Sequence, residues 1–484
     1  MTINKSKPGM CGILGYCAPQ WDPSLVKFFG LQGFNLQHRG QENFGCTYTN
    51  GKKFNHFKDK GLVSQVFTKE RRDEFKAAAP RIAIAQTRYA TAGGTDAISA
   101  QPHWMTLLDG FYSNATNGDL PLLQKEIDSL QASGTVLLSG NDGEIILKKI
   151  LQAAYERHNG DLVAGIKHLM ETTPGAYSGC LMTLEKLYLY RDPHGFRPLY
   201  FGRWRDAFVF ASESCAFNER EAQIEREVRP GEVIAFDLRG GKKNHQVVEP
   251  RENRQKCIFE PIYFARPDSM VFEKNKDVGS FRYELGKRLA EEEPVPGAVV
   301  VPVPDSGRFA AVGYAARSGL PLRELFVRNP YIPRTFQIAG QANREDLVRL
   351  KFTVMLSLLE QYRRFVIVDD SLVRSTTMRI LITMIREAAE KAGVDPGEVE
   401  VHIRLASPPI RGCCYYGIDT PVMAELAAAS HSIEKIAEMV GAASLAYLSL
   451  QGLDLVAGEF DRPANFCHAC FTGKYPTDYQ ERKR

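Results

Sequence analysis

The sequence predicts two folded units in series: a layered α+β domain over 11–250 and an α/β domain with a parallel sheet over 256–450. A leader at 1–10 precedes them and a cysteine-bearing segment at 451–484 follows. Three observations carry this reading. In Val366-Ile-Val-Asp-Asp-Ser-Leu-Val-Arg-Ser-Thr-Thr377, three β-branched apolar residues read as a buried parallel strand. Carboxylates, hydroxyls and Arg374 then follow where a helix is expected from Met378 onward. The N-terminal half instead alternates short β-rich runs, such as 81–85 and 187–190, with small polar islands and helix-like patterns at 121–130 and 144–155. Finally, the charged stretch 240–255 lacks periodicity and reads as a linker.

The bulk properties exclude several classes. With 484 residues, 44% hydrophobic and 24% charged, the chain has the makeup of a soluble globular protein of two or three domains. A net charge of +4 without concentrated basic runs offers no nucleic-acid surface. No run of about eighteen apolar residues suggests a membrane span, and residues 1–10 lack the apolar segment of a secretory signal, so a cytoplasmic location is expected. In a reducing compartment the ten cysteines are better read as nucleophiles and metal ligands than as a disulfide framework.

Taken in order, the first element is the strand-like Met10-Cys-Gly-Ile-Leu-Gly-Tyr16. The polar islands follow: Gln37-His-Arg-Gly-Gln-Glu-Asn-Phe-Gly45, Thr87-Arg-Tyr-Ala-Thr-Ala-Gly93, Ala100-Gln-Pro102, Asn117-Gly-Asp-Leu120 and Ser139-Gly-Asn-Asp-Gly-Glu144. Pro121 suits a first helical position. Asn117-Gly118 is also the strongest short signal for a hairpin turn. His194, between proline and glycine in Arg191-Asp-Pro-His-Gly-Phe-Arg-Pro198, reads as a turn residue.

These islands, in this order, resemble the N-terminal-nucleophile (Ntn) glutamine amidotransferase domain. In that family a leader is removed so that cysteine becomes the first residue, and the match here is Cys11 after a ten-residue propeptide. A freed α-amino group, with an ordinary pKa of about 8, can act as the base that activates its own thiol. The resemblance places the oxyanion hole at the Asn117 side chain and the Gly118 N–H. It pairs Arg88 with the α-carboxylate of glutamine and Asp142 with its α-amino group. The family usually has histidine where this chain has Thr116.

In the second domain the carboxylates of Asp369 and Asp370 suit ribose hydroxyls, while Ser375, Thr376, Thr377 and the N–H groups at a helix start suit a phosphate. A sugar phosphate satisfies both. The stretch resembles the phosphoribosylpyrophosphate (PRPP) loop of type I phosphoribosyltransferases, in the variant found in the glutamine PRPP amidotransferases. By that resemblance Asp369, Asp370, Ser371, Arg374, Ser375, Thr376, Thr377 and Arg334 bind PRPP. Ser306, in Asp305-Ser-Gly-Arg308 after a strand at 298–304, joins Asp369 and Asp370 in holding Mg²⁺. The family has glycine at position 375, and the Cβ of a serine there is tolerated only at negative φ.

Between the two loops, Arg328-Asn-Pro-Tyr-Ile-Pro-Arg-Thr-Phe336 runs on to Lys351 with five basic residues across the stretch. In the family this loop closes over PRPP; here it carries Pro330 and Pro333, followed by Glu345 and Asp346. Arg344 and Arg349 read equally well as solvated surface. A helix is expected over 378–392, stopped by Gly393, and a further strand over 399–405.

Cys257, Cys414, Cys467 and Cys470 match four family positions that carry a [4Fe–4S] cluster in one branch of these amidotransferases. A Cys₄ zinc site is the chemical alternative, and Cys413 could substitute for Cys414. The resemblance spans nearly all the chain after Cys11. It implies glutamine hydrolysis at Cys11, internal passage of ammonia, and displacement of pyrophosphate from C1 of PRPP to give 5-phosphoribosylamine, the first step of purine synthesis. It further implies purine nucleotide inhibitors and a homodimer or homotetramer. Two other readings stand beside it: a paralogue that has lost transfer and acts as a glutaminase or sensor, and an iron–sulfur redox carrier.

Overall fold

The computed structural model describes residues 11–89, 97–107, 110–218, 221–250, 255–272, 276–332, 344–418, 420, 422–462 and 465–480. The leader 1–10 and Arg334 with Pro333 lie outside these.

The first domain packs two antiparallel sheets face to face. One runs in the order Ala222–Glu227, Tyr200–Trp204, Ala207–Ala211, Gly12–Cys17, Ile82–Arg88, Asn43–Thr49, Phe54–Lys60. The other runs Lys242–Gln246, Glu232–Asp237, Lys186–Arg191, Ala176–Met182, Gly110–Asp119, His103–Leu107. The strand Ile82–Arg88 explains the layering. Its Ile82 and Ile84 fill the core between the sheets with Ile13, Leu189 and Phe210. Its small Ala83 and Ala85 face a second core of Phe28, Phe29, Phe67 and Phe75 beneath the helices Ser24–Asn35 and Lys69–Ala78. A strand buried on both faces needs no polar alternation, which is why this one reads as a continuous apolar run. On the outer face of the second sheet, Ile145, Ile146 and Ile150 of the helix Asp142–Arg157 pack with Ile166 and Leu169 of Leu162–Thr172. The result is a four-layer α+β domain.

Three local expectations need correction. Pro121 does not open a helix: the helix is Leu123–Ala132, and Pro121 lies in the turn before it. Asn117-Gly118 is not a hairpin turn. Both residues lie inside the strand Gly110–Asp119, opposite Ser178 and Tyr177, where a Cβ on Gly118 would meet the Ala176 carbonyl oxygen at 1.9 Å. The glycine answers to strand packing rather than to a turn. The stretch 240–255 is only in part a connection, because Lys242–Gln246 adds an edge strand to Glu232–Asp237; exposed edge strands are commonly charged, and this one carries two lysines.

The second domain is built on a parallel sheet ordered Val299–Pro302, Arg364–Asp369, Glu400–Leu405, Ser444–Tyr447. Phe365 and Ile367 face a core with Ile380, Leu381 and Ile436 from the helices Thr376–Lys391 and Ile433–Val440. Val366 and Val368 face the opposite core, with Phe281 and Leu285 of Val278–Glu292, Tyr314 of Arg308–Ser318, and Leu453 and Val456 of Leu450–Phe460. Helices on both faces make this a doubly covered α/β layer. Gly393, at φ +73°, follows the central helix in the left-handed region that ends helices. Among the described residues no helix is long and apolar enough to cross a membrane.

Candidate functional site

Cys11 is buried at the start of the first strand, with 8% of its surface exposed. Burial pushes its thiol up to about 11, opposed by the Arg88 charge and reinforced by Asp142, so the three side chains share one electrostatic site. Such a thiol is protonated at neutral pH and needs a base to become a nucleophile. The Cys11 main-chain nitrogen donates to Asn117 Oδ1 at 3.3 Å. The other half of that amide, Nδ2, is buried and has no hydrogen-bond partner among the described residues. A buried donor left unpaired costs stability and suits an acceptor that arrives with substrate.

The support for Asn117 was missed in the sequence. Gln101 Oε1 accepts from Thr116 N at 2.8 Å, and Gln101 Nε2 donates to Asn141 Oδ1 at 2.9 Å. Asn141 in turn caps the helix Asp142–Arg157 through Gly143 N. Gln101 thus ties the strand of Asn117 to the helix start bearing Asp142. Nothing in the short island Ala100-Gln-Pro102 signals this long-range role except its polarity.

Arg39 is fully buried beside Cys11. Its Nε donates to the Cys11 carbonyl at 3.1 Å. Its terminal nitrogens contact two carboxylates, Glu213 and Glu260, the latter at 2.8 and 3.0 Å. Burial works against ionised Glu213, but His38 and Arg39 outweigh it and hold the carboxyl well below its ordinary range.

In the second domain Asp369 ends its strand and Asp370 follows. Asp370 N donates to Asp369 Oδ1 at 2.9 Å, Ser371 Oγ donates to Asp370 Oδ2 at 2.5 Å, and Ser306 Oγ donates to Asp369 Oδ1 at 3.4 Å. Burial first, and the Asp370 charge second, hold Asp369 well above the usual carboxylate range. Ser375 sits at φ −68°, so its Cβ brings no backbone strain. It does not line the adjoining cavity, whereas Ser371, Arg374, Thr376 and Thr377 do. Arg374 Nε donates to Glu425 Oε2 at 2.7 Å, a partner absent from the sequence reading.

The four cysteines converge where the domains meet. Cys257 and Cys467 face each other across the parallel pair Lys256–Cys257 and Phe466–Cys467. Cys470 lies in Ala469–Thr472, and its carbonyl accepts from Arg411 N and Gly412 N at 2.9 Å, drawing in the segment of Cys414. Burial raises all four thiols; the charges of Cys257, Cys414 and Cys467 act on Cys470. Cys413 is buried beside Cys414 in the chain, and its carbonyl accepts from Tyr475 Oη at 2.6 Å. Arg197 is close by, with its charge acting on all but Cys470 among the leading influences.

The chain as a whole has counterparts among known proteins. Residues 88–219 match the glutamine amidotransferase domain model. The chain is 39% identical over 472 residues to the amidophosphoribosyltransferase of Archaeoglobus fulgidus, covering 96% of this chain and 98% of that protein. The chain belongs to the amidophosphoribosyltransferases. The enzyme of that name from Bacillus subtilis is 39% identical, covering 97% of this chain and 95% of that protein. The solved structure of the glutamine PRPP amidotransferase from B. subtilis complexed with ADP and GMP superposes with a TM-score of 0.84 at 37% identity, covering 97% and 98% of the two chains. As an amidophosphoribosyltransferase, the chain is a glutamine-dependent enzyme that transfers ammonia to C1 of PRPP, giving 5-phosphoribosylamine in purine synthesis. Its two domains are the Ntn amidotransferase and type I phosphoribosyltransferase folds.

Proposed function

We propose that Cys11 releases ammonia from glutamine, that the loop 369–377 holds PRPP, and that one cavity joins them. The observation carrying this is a cavity of about 370 Å³ whose lining takes in Tyr89, next to Arg88, together with Asp369, Asp370, Thr376 and Thr377. Phe259, Tyr263 and Phe264 add aromatic walls. Such walls shed water and keep ammonia neutral, the form that attacks carbon.

In the first half-reaction the Cys11 thiol adds to the glutamine carboxamide carbon. Its proton passes to the α-amino group freed by loss of residues 1–10, and from there to the departing nitrogen. Asn117 Nδ2 and the Gly118 N–H hold the negative oxygen. Arg88 and Asp142 grip the α-carboxylate and α-ammonium of the substrate. Water then cleaves the thioester to glutamate. In the second, ammonia attacks C1 of PRPP and pyrophosphate leaves. Asp369 and Asp370 hold the ribose hydroxyls, and Ser371, Arg374, Ser375, Thr376 and Thr377 cradle the 5′-phosphate at the start of Thr376–Lys391. Arg334 binds pyrophosphate.

Two groups fit the residues present. Asp370 is buried and the adjacent Asp369 half-buried, with Ser306 beside them, an oxygen set suited to Mg²⁺, which would neutralise the pyrophosphate when bound. For the cysteines, the only His, Cys or carboxylate trio among the described residues with ligand atoms within 4.8 Å of one another is His38, Glu213 and Cys215. Four thiolates on one zinc would sit ~4 Å apart. The wider spread of Cys257, Cys414, Cys467 and Cys470 suits a [4Fe–4S] cluster, which would tie the C-terminal segment to the domain boundary. Inhibition by purine nucleotides, a homodimeric or homotetrameric assembly and a cytoplasmic site of action complete the reading; the B. subtilis structure carries ADP and GMP.

The test is Cys11→Ser with both nitrogen sources. Glutamine-dependent formation of 5-phosphoribosylamine is lost and ammonia-dependent formation stays. Intact mass of the active wild-type enzyme begins at Cys11. An active enzyme that retains residues 1–10, or a serine variant that still uses glutamine, overturns the reading.

A further inference from the structure

The nucleophile of the first domain is held from the second. Arg39, the residue whose Nε reaches the Cys11 carbonyl, is gripped in a bidentate pair by Glu260, which is 221 residues away in sequence. Glu260 opens the short helical turn Glu260–Phe264 of the transferase domain. The same carboxylate accepts from Arg197 at 3.1 Å, and Arg197 Nε is fixed on the Tyr416 carbonyl at 2.8 Å. The turn is also tied down: Arg282 donates to the Pro261 and Ala265 carbonyls, each at 2.8 Å. Its own Tyr263 and Phe264, with Phe259 just before it, line the cavity at the PRPP loop.

We propose that Glu260 is a positioning residue for the glutamine half-reaction, acting on Cys11 through Arg39. The inference rests on Cys11 being the nucleophile. The chemistry requires it in the following sense. Thiol addition to an amide demands the sulfur within a few tenths of an ångström of its attack position, and misplacement by about 1 Å costs on the order of 100-fold. A charged donor on the Cys11 carbonyl sets where that residue sits, and charge-assisted bidentate pairing sets where the donor sits. Glu213 alone anchors one terminal nitrogen of Arg39; Glu260 spans both and fixes the plane of the guanidinium. The turn therefore presents aromatic side chains to the ammonia route and a carboxylate to the site that makes the ammonia. A second consequence is that the amidotransferase domain is incomplete without the transferase domain.

The measurement is glutamine-dependent and ammonia-dependent synthesis on the same full-length preparations. Glu260→Gln lowers kcat for glutamine about 10- to 100-fold. KM for glutamine and the ammonia-dependent rate stay within about twofold, because Glu260 touches neither substrate. Glu260→Asp, which keeps the charge, recovers part of the loss. If the glutamine variant does not fold, the aspartate variant is judged by the same split. In a double-substitution cycle, Glu260→Gln adds little to Arg39→Gln, since both remove one interaction. A wild-type glutamine rate in Glu260→Gln, equal loss of both rates, or full additivity in the cycle overturns the proposal. Cys11→Ser serves as the control: if it retains glutamine use, the nucleophile assignment has failed rather than the role of Glu260.

Discussion

The main-chain nitrogen of Cys11 lies 3.3 Å from Oδ1 of Asn117, across 106 residues of sequence. The contact makes one side-chain amide two-sided: its oxygen orients the nitrogen proposed as the base, and its Nδ2 is the donor proposed for the substrate oxygen.

Replacing Asn117 by aspartate removes that donor and puts a negative charge where negative charge develops. Glutamine-dependent kcat should fall by about 10²- to 10³-fold, the loss typical of one oxyanion donor. Ammonia-dependent synthesis should persist. Comparable losses in both assays would refute the assignment of Nδ2.

Ser375→Gly tests the phosphate end of the PRPP loop. Because Ser375 already sits at φ −68°, glycine relieves no strain and adds freedom to the unfolded chain. The variant should be less stable by about 0.5–1 kcal/mol. KM for PRPP should move more than kcat, since the phosphate is held in ground and transition states alike. Calorimetric titration with PRPP and Mg²⁺ reads binding directly; wild-type protein that binds nothing while the glycine variant binds would mean the loop has been retired.

Glu144 sets an acid limit on the glutamine site. Burial opposes its charge, but the Leu138 and Ser139 N–H groups, Lys148 and Ser139 Oγ outweigh it and bring the carboxyl down to about 2. The folded pKa is thus below the ordinary 4.5, so this carboxylate contributes stability above pH 4.5 that is lost as pH falls toward 2. The segment it holds, 138–144, carries Asp142. Glu144→Gln should flatten the acid-unfolding curve between pH 4.5 and 2 and lower stability at pH 7, as read by denaturant titration at several pH values. An unchanged pH slope would count against it.

The cysteine assignments separate by single substitutions. Cys414→Ser should abolish the brown colour of anaerobically prepared protein, and Cys413→Ser should keep it. Visible absorbance and iron analysis decide. A colourless wild type with about one zinc per chain would favour the tetrahedral alternative despite the spread of the sulfurs.

What the sequence determined by itself was local or locally repeated. The PRPP loop is a strand, a polar turn and a helix start within twelve residues, so composition and order reveal it without a fold. The run Val366-Ile-Val announced a strand covered on both faces, as its two cores bear out. Asn117-Gly118 misled because the same dipeptide that favours a hairpin turn is also the one that lets two strands approach closely at Ala176, and only the neighbouring strand distinguishes them. Lys242–Gln246 misled because an edge strand needs no apolar periodicity. The tertiary structure alone decided the long-range polar pairings: Arg39 with Glu213 and Glu260, Arg374 with Glu425, Gln101 with Thr116 and Asn141. A lone charge or amide in a chain gives no sign of its partner, because the pairing energy appears only when folding removes water from both groups at once.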